Sequence, residues 1–237
     1  MQTDKNTQNT SGCRPCVPQI KVCGLTDIKE ATGCVEIGAG AIGFVFYPKS
    51  PRHISEDKAK EIVLSLPEKV RKVGVFVNET FSSIMEKVNY CHLDAVQLHG
   101  QESPLLVDRL RKENLLVIKA LFDGRKPALT DALTYKASAF LVECGKGTLP
   151  GGNALAWNWE KASGFGKKHP FILAGGLSPE NVSRAVTATL PDAVDVSSGV
   201  ESSPGRKDLD KVKSFVDAVF ECAAKIQTGE KKMRRIF

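Results

Sequence analysis

The stretch PFILAGGLSPENV, residues 170–182, decides the fold together with AVDVSSG, residues 193–199, which follows it. In each stretch a short apolar run ends in small or polar residues, as a buried β-strand does where it leaves a sheet. The serine–proline pair at 178–179 opens an amphipathic segment and is a combination favoured at helix N-termini. The two stretches therefore predict parallel strands joined by a helix, with a loop of small residues after each strand.

The same unit recurs from residue 20 onward. Amphipathic segments such as SEDKAKEIVLSL (55–66) and ETFSSIMEKVNY (79–90) separate apolar runs of the kind found in strands covered on both faces. Eight strands alternating with helices or helix-like connectors, without a break for a second domain, predict an α/β fold, a single (β/α)8 TIM barrel. The eight runs are QIKVCG, AIGFVFY, KVGVFV, DAVQLHG, LLVIKAL, AFLVEC, PFILAGG and AVDVSSG.

The main alternative is a doubly wound open sheet, which carries a glycine-rich phosphate loop after its first strand. Here Cys23-Gly24-Leu25-Thr26 follows the first strand, and the glycine-rich turns come after the seventh and eighth, which favours the barrel. We place the barrel at residues 20–226. Residues 1–19 are predicted to be a disordered lead, and residues 227–237 a basic, solvated tail that can be deleted at little cost.

Composition excludes several classes of protein. The 237 residues are 42% hydrophobic and 25% charged, which is ordinary for a globular protein. No apolar run reaches the roughly 18–20 residues of a membrane span, and the polar N-terminus lacks a secretory signal, so we expect a cytoplasmic location and no membrane partner. Most of the net charge of +6 belongs to the two ends of the chain, so no basic stripe predicts nucleic-acid binding.

The seven cysteines do not predict a disulfide framework or a metal site. Cys13 and Cys16 form a CxxC without further ligands, and we interpret the pair as incidental. Cys34, Cys91 and Cys222 fall in predicted helices or at a helix end, where cysteine acts as a small hydrophobic residue.

The ends of the predicted strands carry the chemistry, because a barrel builds its active site from the loops that follow them. Gly175-Gly176 after strand seven and Ser198-Gly199 after strand eight predict a cradle for phosphate. The other polar residues at strand ends or in the adjoining loops are Cys23, Arg52, Gln97, His99, Glu143 and Asp195.

Cys23 and Glu143 are the candidate proton-transfer pair. The Cys23 thiol can act as a base once a positive field lowers its pKa. The Glu143 carboxyl group lies in an apolar strand, where burial requires either a pairing partner or a catalytic role. The alternatives are a structural buried cysteine for Cys23 and a buried ion pair for Glu143. The pair predicts proton transfer on a small phosphorylated substrate.

The chain resembles the phosphoribosylanthranilate isomerase family of tryptophan biosynthesis. The resemblance covers nearly all of residues 20–220 and is carried by KVCGLT, GFVFYPKSPRHI, VGVFVNE, VQLHG, PFILAGGLSPENV and DVSSGVESSPGRKD. It implies an Amadori rearrangement of N-(5-phosphoribosyl)anthranilate to 1-(2-carboxyphenylamino)-1-deoxyribulose 5-phosphate, with no metal or organic cofactor. It also leaves a monomer or a homodimer open.

The resemblance implies a role for each candidate. Cys23 would be the general base, and Arg52 would bind the anthranilate carboxylate, which a planar guanidinium can grip with two N–H groups. Gly175, Gly176, Ser198 and Gly199 would hold the phosphate. Gln97, His99 and Asp195 would line the substrate cavity, although a purely structural His99 is an equal alternative.

The sequence departs from the family pattern in and after strand six. Glu143 stands where many members have an aspartate as general acid, and residues 151–159 read GGNALAWNW in place of a Gly-Gly-Ser/Thr-Gly-Lys loop, which removes support for a ligand contact by Leu155. Two other hypotheses stay open: a barrel isomerase or lyase for a related phosphorylated substrate, and a catalytically inactive barrel that serves as a scaffold.

Overall fold

The computed structural model describes residues 17–146, 157–226 and 233–237. Eight parallel strands form a closed barrel in chain order, with β1 hydrogen-bonded to both β2 and β8. This closure confirms the (β/α)8 barrel and makes the open-sheet alternative wrong. The strands are β1 Gln19–Cys23, β2 Ala41–Val45, β3 Arg71–Phe76, β4 Ala95–Leu98, β5 Leu116–Asp123, β6 Ala139–Cys144, β7 Phe171–Leu173 and β8 Ala193–Val196.

Helices pack around the barrel: α1 Ile28–Ile37, α2 Glu56–Ser65, α3 Phe81–Cys91, α4 Pro104–Lys112, α5 Phe165–Lys168, α6 Val182–Thr189 and α7 Leu209–Lys225. A 3-10 segment, Leu129–Thr134, follows β5, and another, Trp159–Ala162, precedes the one-turn α5. A short antiparallel pair, β9 Glu201–Ser203 and β10 Arg206–Lys207, lies between β8 and α7. No helix in the described ranges has the length and apolarity to cross a bilayer.

Serine side chains cap two of the helices. The side chain of Ser55 accepts from the backbone N–H of Lys58, and Ser103 caps α4 directly before Pro104. The helix start predicted at Ser178-Pro179 is wrong, because α6 begins at Val182. The side chain of Asn181 binds back to the Ser178 N–H and the Gly176 carbonyl, so these residues form a turn before the helix.

The helical cysteines behave as expected. Cys34, Cys91 and Cys222 are buried free thiols in α1, α3 and α7. Cys13 and Cys16 lie outside the described residues. In α7 the apolar residues Val212, Phe215, Val216 and Val219 are buried, and Leu209, the first residue of the helix, is 36% exposed although it lies against Gly33 of α1.

Alanines line the amino-terminal end of the barrel interior. Strands β2, β4, β6 and β8 each begin with a fully buried alanine that belongs to the interior apolar cluster. Because these side chains are small, they leave room at the centre of the barrel floor. The alanines are Ala41, Ala95, Ala139 and Ala193.

The last residues of the chain fill that room. The backbone N–H groups of Ile236 and Phe237 donate to Oε1 of Gln19 at 3.1 and 2.7 Å, and Nε2 of Gln19 donates to the Arg234 carbonyl at 2.9 Å. Ile236 and Phe237 are buried members of the interior cluster. The expectation of a solvated tail is therefore wrong for Ile236 and Phe237, because the alanine floor accepts their side chains.

Candidate active site

Three polar side chains at the carboxyl ends of β4 and β6 form a buried chain of hydrogen bonds. Nε2 of Gln97 lies 2.9 Å from Nδ1 of His99, and Nε2 of His99 lies 2.9 Å from Oε1 of Glu143. All three residues are buried, and the His99 ring meets the Phe122 ring edge-on with centroids 5.5 Å apart. The partner of Glu143 is thus the imidazole of His99.

Cys23 ends β1, on the interior face that it shares with Lys21. They are two positions apart with Val22 between them, so their side chains point to the same face of the strand. Gly43 of β2 stands opposite Cys23, and a Cβ there would come within 2.7 Å of the sulfur, so glycine makes the space for the thiol.

Lys21 forms an ion pair with Asp195 across β1 and β8. The two residues are register partners, and Nζ of Lys21 lies 2.8 Å from Oδ1 of Asp195, with the lysine side chain fully buried. The structure thus shows that Asp195 is the ion-pair partner of Lys21, whereas the sequence predicted only that Asp195 lines the substrate cavity.

Burial and the positive charge of Lys21 have opposite effects on the pKa values of Cys23 and Asp195. Burial raises the pKa of the Cys23 thiol, and the positive charge of Lys21 opposes the rise without cancelling it. The pKa of Asp195 is raised in the same way, again against the pull of Lys21. Burial would lower the pKa of Lys21, but Asp195 and Cys23 outweigh it and the pKa is raised, so the lysine keeps its charge. The positive field expected from the sequence is present, but it does not bring the thiol pKa below its ordinary value.

Arg52 lies next to this cluster and is held by Glu201. Nε and Nη2 of Arg52 donate to the two carboxylate oxygens of Glu201 at 2.8 and 2.7 Å. The arginine stem packs on Gly24, the residue after Cys23, where a Cβ would come within 2.6 Å of it. Arg52 is therefore fixed beside the candidate base by a two-bond ion pair.

Lys207 of β10 connects Glu201 to the loop after β8. Its Nζ donates to Oε1 of Glu201 at 2.6 Å and to the Ser197 carbonyl at 3.3 Å, while Ser197 Oγ donates to the Cys23 carbonyl at 2.9 Å. Burial would raise the pKa of Glu201, but Arg52 and Lys207 outweigh burial and lower it, so the carboxylate is ionised.

The loops after β7 and β8, which the sequence predicted as a phosphate cradle, are in contact. Gly175 and Gly176 have φ of +86° and +68°, in the left-handed region that favours glycine. A Cβ at Gly199 would come within 1.9 Å of the Leu177 carbonyl, so only glycine lets the two loops touch. Ser198 and Gly199 form a 3-10 turn directly after β8.

Two tryptophans of the segment after β6 hold the β7 loop in place. Nε1 of Trp157 donates to the Ala174 carbonyl at 3.0 Å, and Nε1 of Trp159 donates to the Gly175 carbonyl at 3.3 Å. Leu155, where the sequence departs from the family pattern, lies outside the described residues.

Sequence reasoning missed Lys21, Glu201 and Lys207. Lys21 offered a signal, because a lysine inside an apolar strand, two residues before a candidate base, must share its face. Glu201 and Lys207 offered none, because their partners lie elsewhere in the chain: Arg52 is 149 residues before Glu201. No cluster of three or more His, Cys, Asp or Glu side chains within the described ranges could hold a metal ion.

Comparisons with known proteins agree with this geometry. The family model for N-(5'-phosphoribosyl)anthranilate (PRA) isomerase matches residues 20–218. The N-(5'-phosphoribosyl)anthranilate isomerase of Desulfatibacillum aliphaticivorans is 54% identical over 198 residues, covering 84% of this chain and 91% of that one. The enzyme of the same name from Thermotoga neapolitana is 44% identical over 199 residues, with 84% and 96% covered.

Solved structures show the same likeness. Phosphoribosyl anthranilate isomerase from Thermotoga maritima superposes with a TM-score of 0.79 at 40% identity, covering 86% of this chain and 99% of that one. A phosphoribosyl anthranilate isomerase in complex with reduced 1-(o-carboxyphenylamino)-1-deoxyribulose 5-phosphate superposes with a TM-score of 0.76, also at 40% identity, with the same 86% and 99% covered. The match extends over the whole barrel, and the chain belongs to the N-(5'-phosphoribosyl)anthranilate isomerase family, enzymes of tryptophan biosynthesis.

Proposed function

We propose that this chain converts N-(5'-phosphoribosyl)anthranilate to 1-(2-carboxyphenylamino)-1-deoxyribulose 5-phosphate, with Glu143 as general acid and Cys23 as general base. The observation that carries the proposal is the placement of two separately supported proton-transfer groups at one barrel mouth. Glu143 is bonded to His99 at the end of β6, and Cys23 is beside Lys21 at the end of β1. A relative in the family binds the reduced form of this product.

Glu143 acts first, in its protonated form. Its O–H bond breaks as the proton passes to the furanose ring oxygen, and the C1–O bond of the sugar breaks with its electron pair going to that oxygen. The anilino nitrogen supplies the electrons for the new C=N bond, so the ring opens to a protonated Schiff base. His99 stands ready to donate to the carboxylate that remains, at 2.9 Å from Oε1.

Cys23 acts second, as the thiolate. It takes the proton from C2 of the Schiff base, the electrons of that C–H bond form the C=C bond of an enolamine, and the enolamine tautomerises to the ketone. Burial raises the pKa of the thiol, and the charge of Lys21, which opposes that rise, is the nearby group that favours the thiolate. Acid and base thus occupy different surroundings, as opposite protonation states at one pH require.

The remaining candidates bind the two ends of the substrate. Arg52, held by Glu201, binds the anthranilate carboxylate, and Gly175, Gly176, Ser198 and Gly199 hold the phosphate where the β7 and β8 loops meet. We expect the activity in a monomer or a homodimer without added metal or organic cofactor.

Turnover of phosphoribosylanthranilate, followed by the loss of its fluorescence, tests the proposal. We expect turnover by the purified chain, and a loss of about 10²–10⁴-fold in kcat for Cys23→Ser, because a hydroxyl is too weakly acidic to replace the thiol. Cys91→Ser is the matched control, since that thiol lies in α3 and donates to the Glu56 carbonyl.

Glu143→Gln tests the acid, because an amide cannot donate a proton at useful acidity. The exposed Glu61, paired with Lys58, provides the control Glu61→Gln. A folded Glu143→Gln variant with substantial turnover would remove Glu143 from the mechanism. A wild-type chain that does not consume the substrate at all would favour the scaffold or a related phosphorylated substrate instead.

A further inference from the structure

We propose that Gln97 and His99 are positioning residues for the acid Glu143: Gln97 holds His99 in the tautomer that carries its proton on Nε2, and this N–H fixes the Glu143 carboxyl. The inference rests on the proposed function of Glu143. It assigns Gln97 a task different from contact with substrate.

The orientation of the Gln97 amide decides the tautomer. With Nε2 of Gln97 donating to Nδ1 of His99 at 2.9 Å, Nδ1 must present a lone pair, and the ring proton stands on Nε2. The reversed amide would place a carbonyl there and require the proton on Nδ1. The two orientations are distinguished by their hydrogen bonds, because the oxygen and nitrogen of an amide have nearly the same size.

Within the part of the chain that the structure describes, one end of the buried Gln97 amide lacks a hydrogen-bond partner, and the cost of this favours the orientation in which Nε2 donates to His99. Among the described residues, Oε1 of the buried Gln97 has no hydrogen-bond partner. Reversal would put the NH2 group in that place, so two N–H donors would be unpaired, in place of one N–H and one carbonyl. Buried orphan N–H groups are rarer in proteins than under-satisfied carbonyls. The amide therefore donates to His99.

The selected tautomer prepares Glu143 for proton donation. Nε2–H of His99 donates to Oε1 of Glu143, so the acid's own proton is carried on the other oxygen, Oε2. When that proton leaves, the bond from His99 becomes a charge-assisted one, which is stronger in the transition state than in the ground state. His99 keeps its Nε2 proton as Glu143 reacts, and no proton passes through it.

Neighbouring groups hold the His99 ring and the Glu143 carboxyl in place. The edge-on contact with Phe122 holds the His99 ring, and the His99 backbone N–H donates to the Phe76 carbonyl at 2.8 Å. Asp195 interacts with both His99 and Glu143, and its charge is compensated by Lys21. The hydrogen-bonded side chains of Gln97, His99 and Glu143 are thus enclosed by the barrel interior.

Nitrogen NMR of histidine-labelled protein tests the tautomer without any turnover. The chain has four histidines, and His99→Gln identifies the His99 signals by their loss. We expect a pyrrole-type Nε2 and a pyridine-type Nδ1 in the wild type. A protonated Nδ1, alone or together with Nε2, would overturn the proposal.

Kinetics of two Gln97 variants test the consequence. Gln97→Met keeps the length and removes the hydrogen bond, and we expect about tenfold lower kcat with KM nearly unchanged. Gln97→Glu presents only acceptors to Nδ1, so the NMR signature should invert and kcat should fall further. The exposed Gln101 supplies the control Gln101→Met, which should leave both constants unchanged.

The outcomes separate this inference from the proposed function. If the wild type turns over and Glu143→Gln does not, a Gln97→Met variant with unchanged kcat, or with raised KM alone, refutes the positioning role and leaves the acid assignment intact. If Gln97→Met does not fold, the wild-type spectrum decides.

Discussion

Phe237→Ala tests the most unexpected feature of the fold, the closure of the barrel floor by the last residues of the chain. Phe237 is 7% exposed and lies in the cluster that fills the barrel interior. Its backbone N–H donates to Gln19, a residue 218 positions earlier in the chain. Removal of the ring uncovers the alanine floor beneath it.

The magnitude follows from the buried side chain. Complete burial of a phenylalanine contributes about 1.5–3 kcal/mol, and truncation inside a rigid core costs about 3–5 kcal/mol when a cavity remains. A chain end can retract and reduce the cavity, so we expect a loss of about 2–3 kcal/mol in the free energy of unfolding. For a barrel of this size that loss lowers Tm by about 4–12 °C.

Thermal unfolding of Phe237→Ala beside Phe220→Ala provides the measurement. Phe220 lies on α7 and is 49% exposed, so the same substitution there should change Tm little. Turnover well below Tm should match the wild type in both variants, because the tail lies at the opposite end of the barrel from Cys23. Equal Tm values for the two variants would show that the tail does not stabilise the floor.

Four further predictions concern the tail and the site. Arg234→Ala should lower Tm as well, since Nη1 of Arg234 bonds to the Gly166 and His169 carbonyls at 2.8 Å; an unchanged Tm would contradict this. Arg52→Ala should raise KM more than it lowers kcat, because the substrate carboxylate keeps its charge during the reaction; a kcat loss at constant KM would assign Arg52 another task. Glu143→Asp should lose on the order of a hundredfold in kcat, since the shorter acid leaves its place beside His99, and retained turnover would show that the site adapts. Because the pKa of Glu201 in the folded protein lies below its ordinary value of 4.5, the Glu201 carboxylate stabilises the fold above pH 4.5 and loses this contribution as the pH falls. The difference in Tm between wild type and Glu201→Gln should therefore narrow from pH 7 to pH 3.5, and a constant difference would refute this linkage.

The barrel itself was predictable from local patterns. Eight apolar runs separated by amphipathic segments allow few arrangements, because each strand needs cover on both faces and each helix must bury one stripe. The position of Cys23, Gln97 and Glu143 at the carboxyl ends of their strands also followed, since parallel strands bring those ends to one mouth. The small residues after strands seven and eight predicted a phosphate cradle, and the family resemblance added the expected role of Arg52.

Relations between distant residues were decided only by the tertiary structure. The alternation in β1 places Lys21 and Cys23 on one face, but the partner Asp195 is 174 residues from Lys21 and meets it because β8 closes on β1. The pKa of the thiol is raised because burial outweighs that charge, and burial is a property of the packed barrel.

The end of the chain shows most clearly that local sequence does not predict contacts between distant residues. Ile236 and Phe237 follow a basic run and have no periodicity, so local sequence predicts a solvated end. Their burial depends on a hollow created by alanines from four separate strands, which no short stretch of sequence contains. Local sequence therefore determined the elements and their polar ends, and closure of the barrel determined which side chains meet, because apolar burial and ion pairing act between surfaces that exist only after the strands have come together.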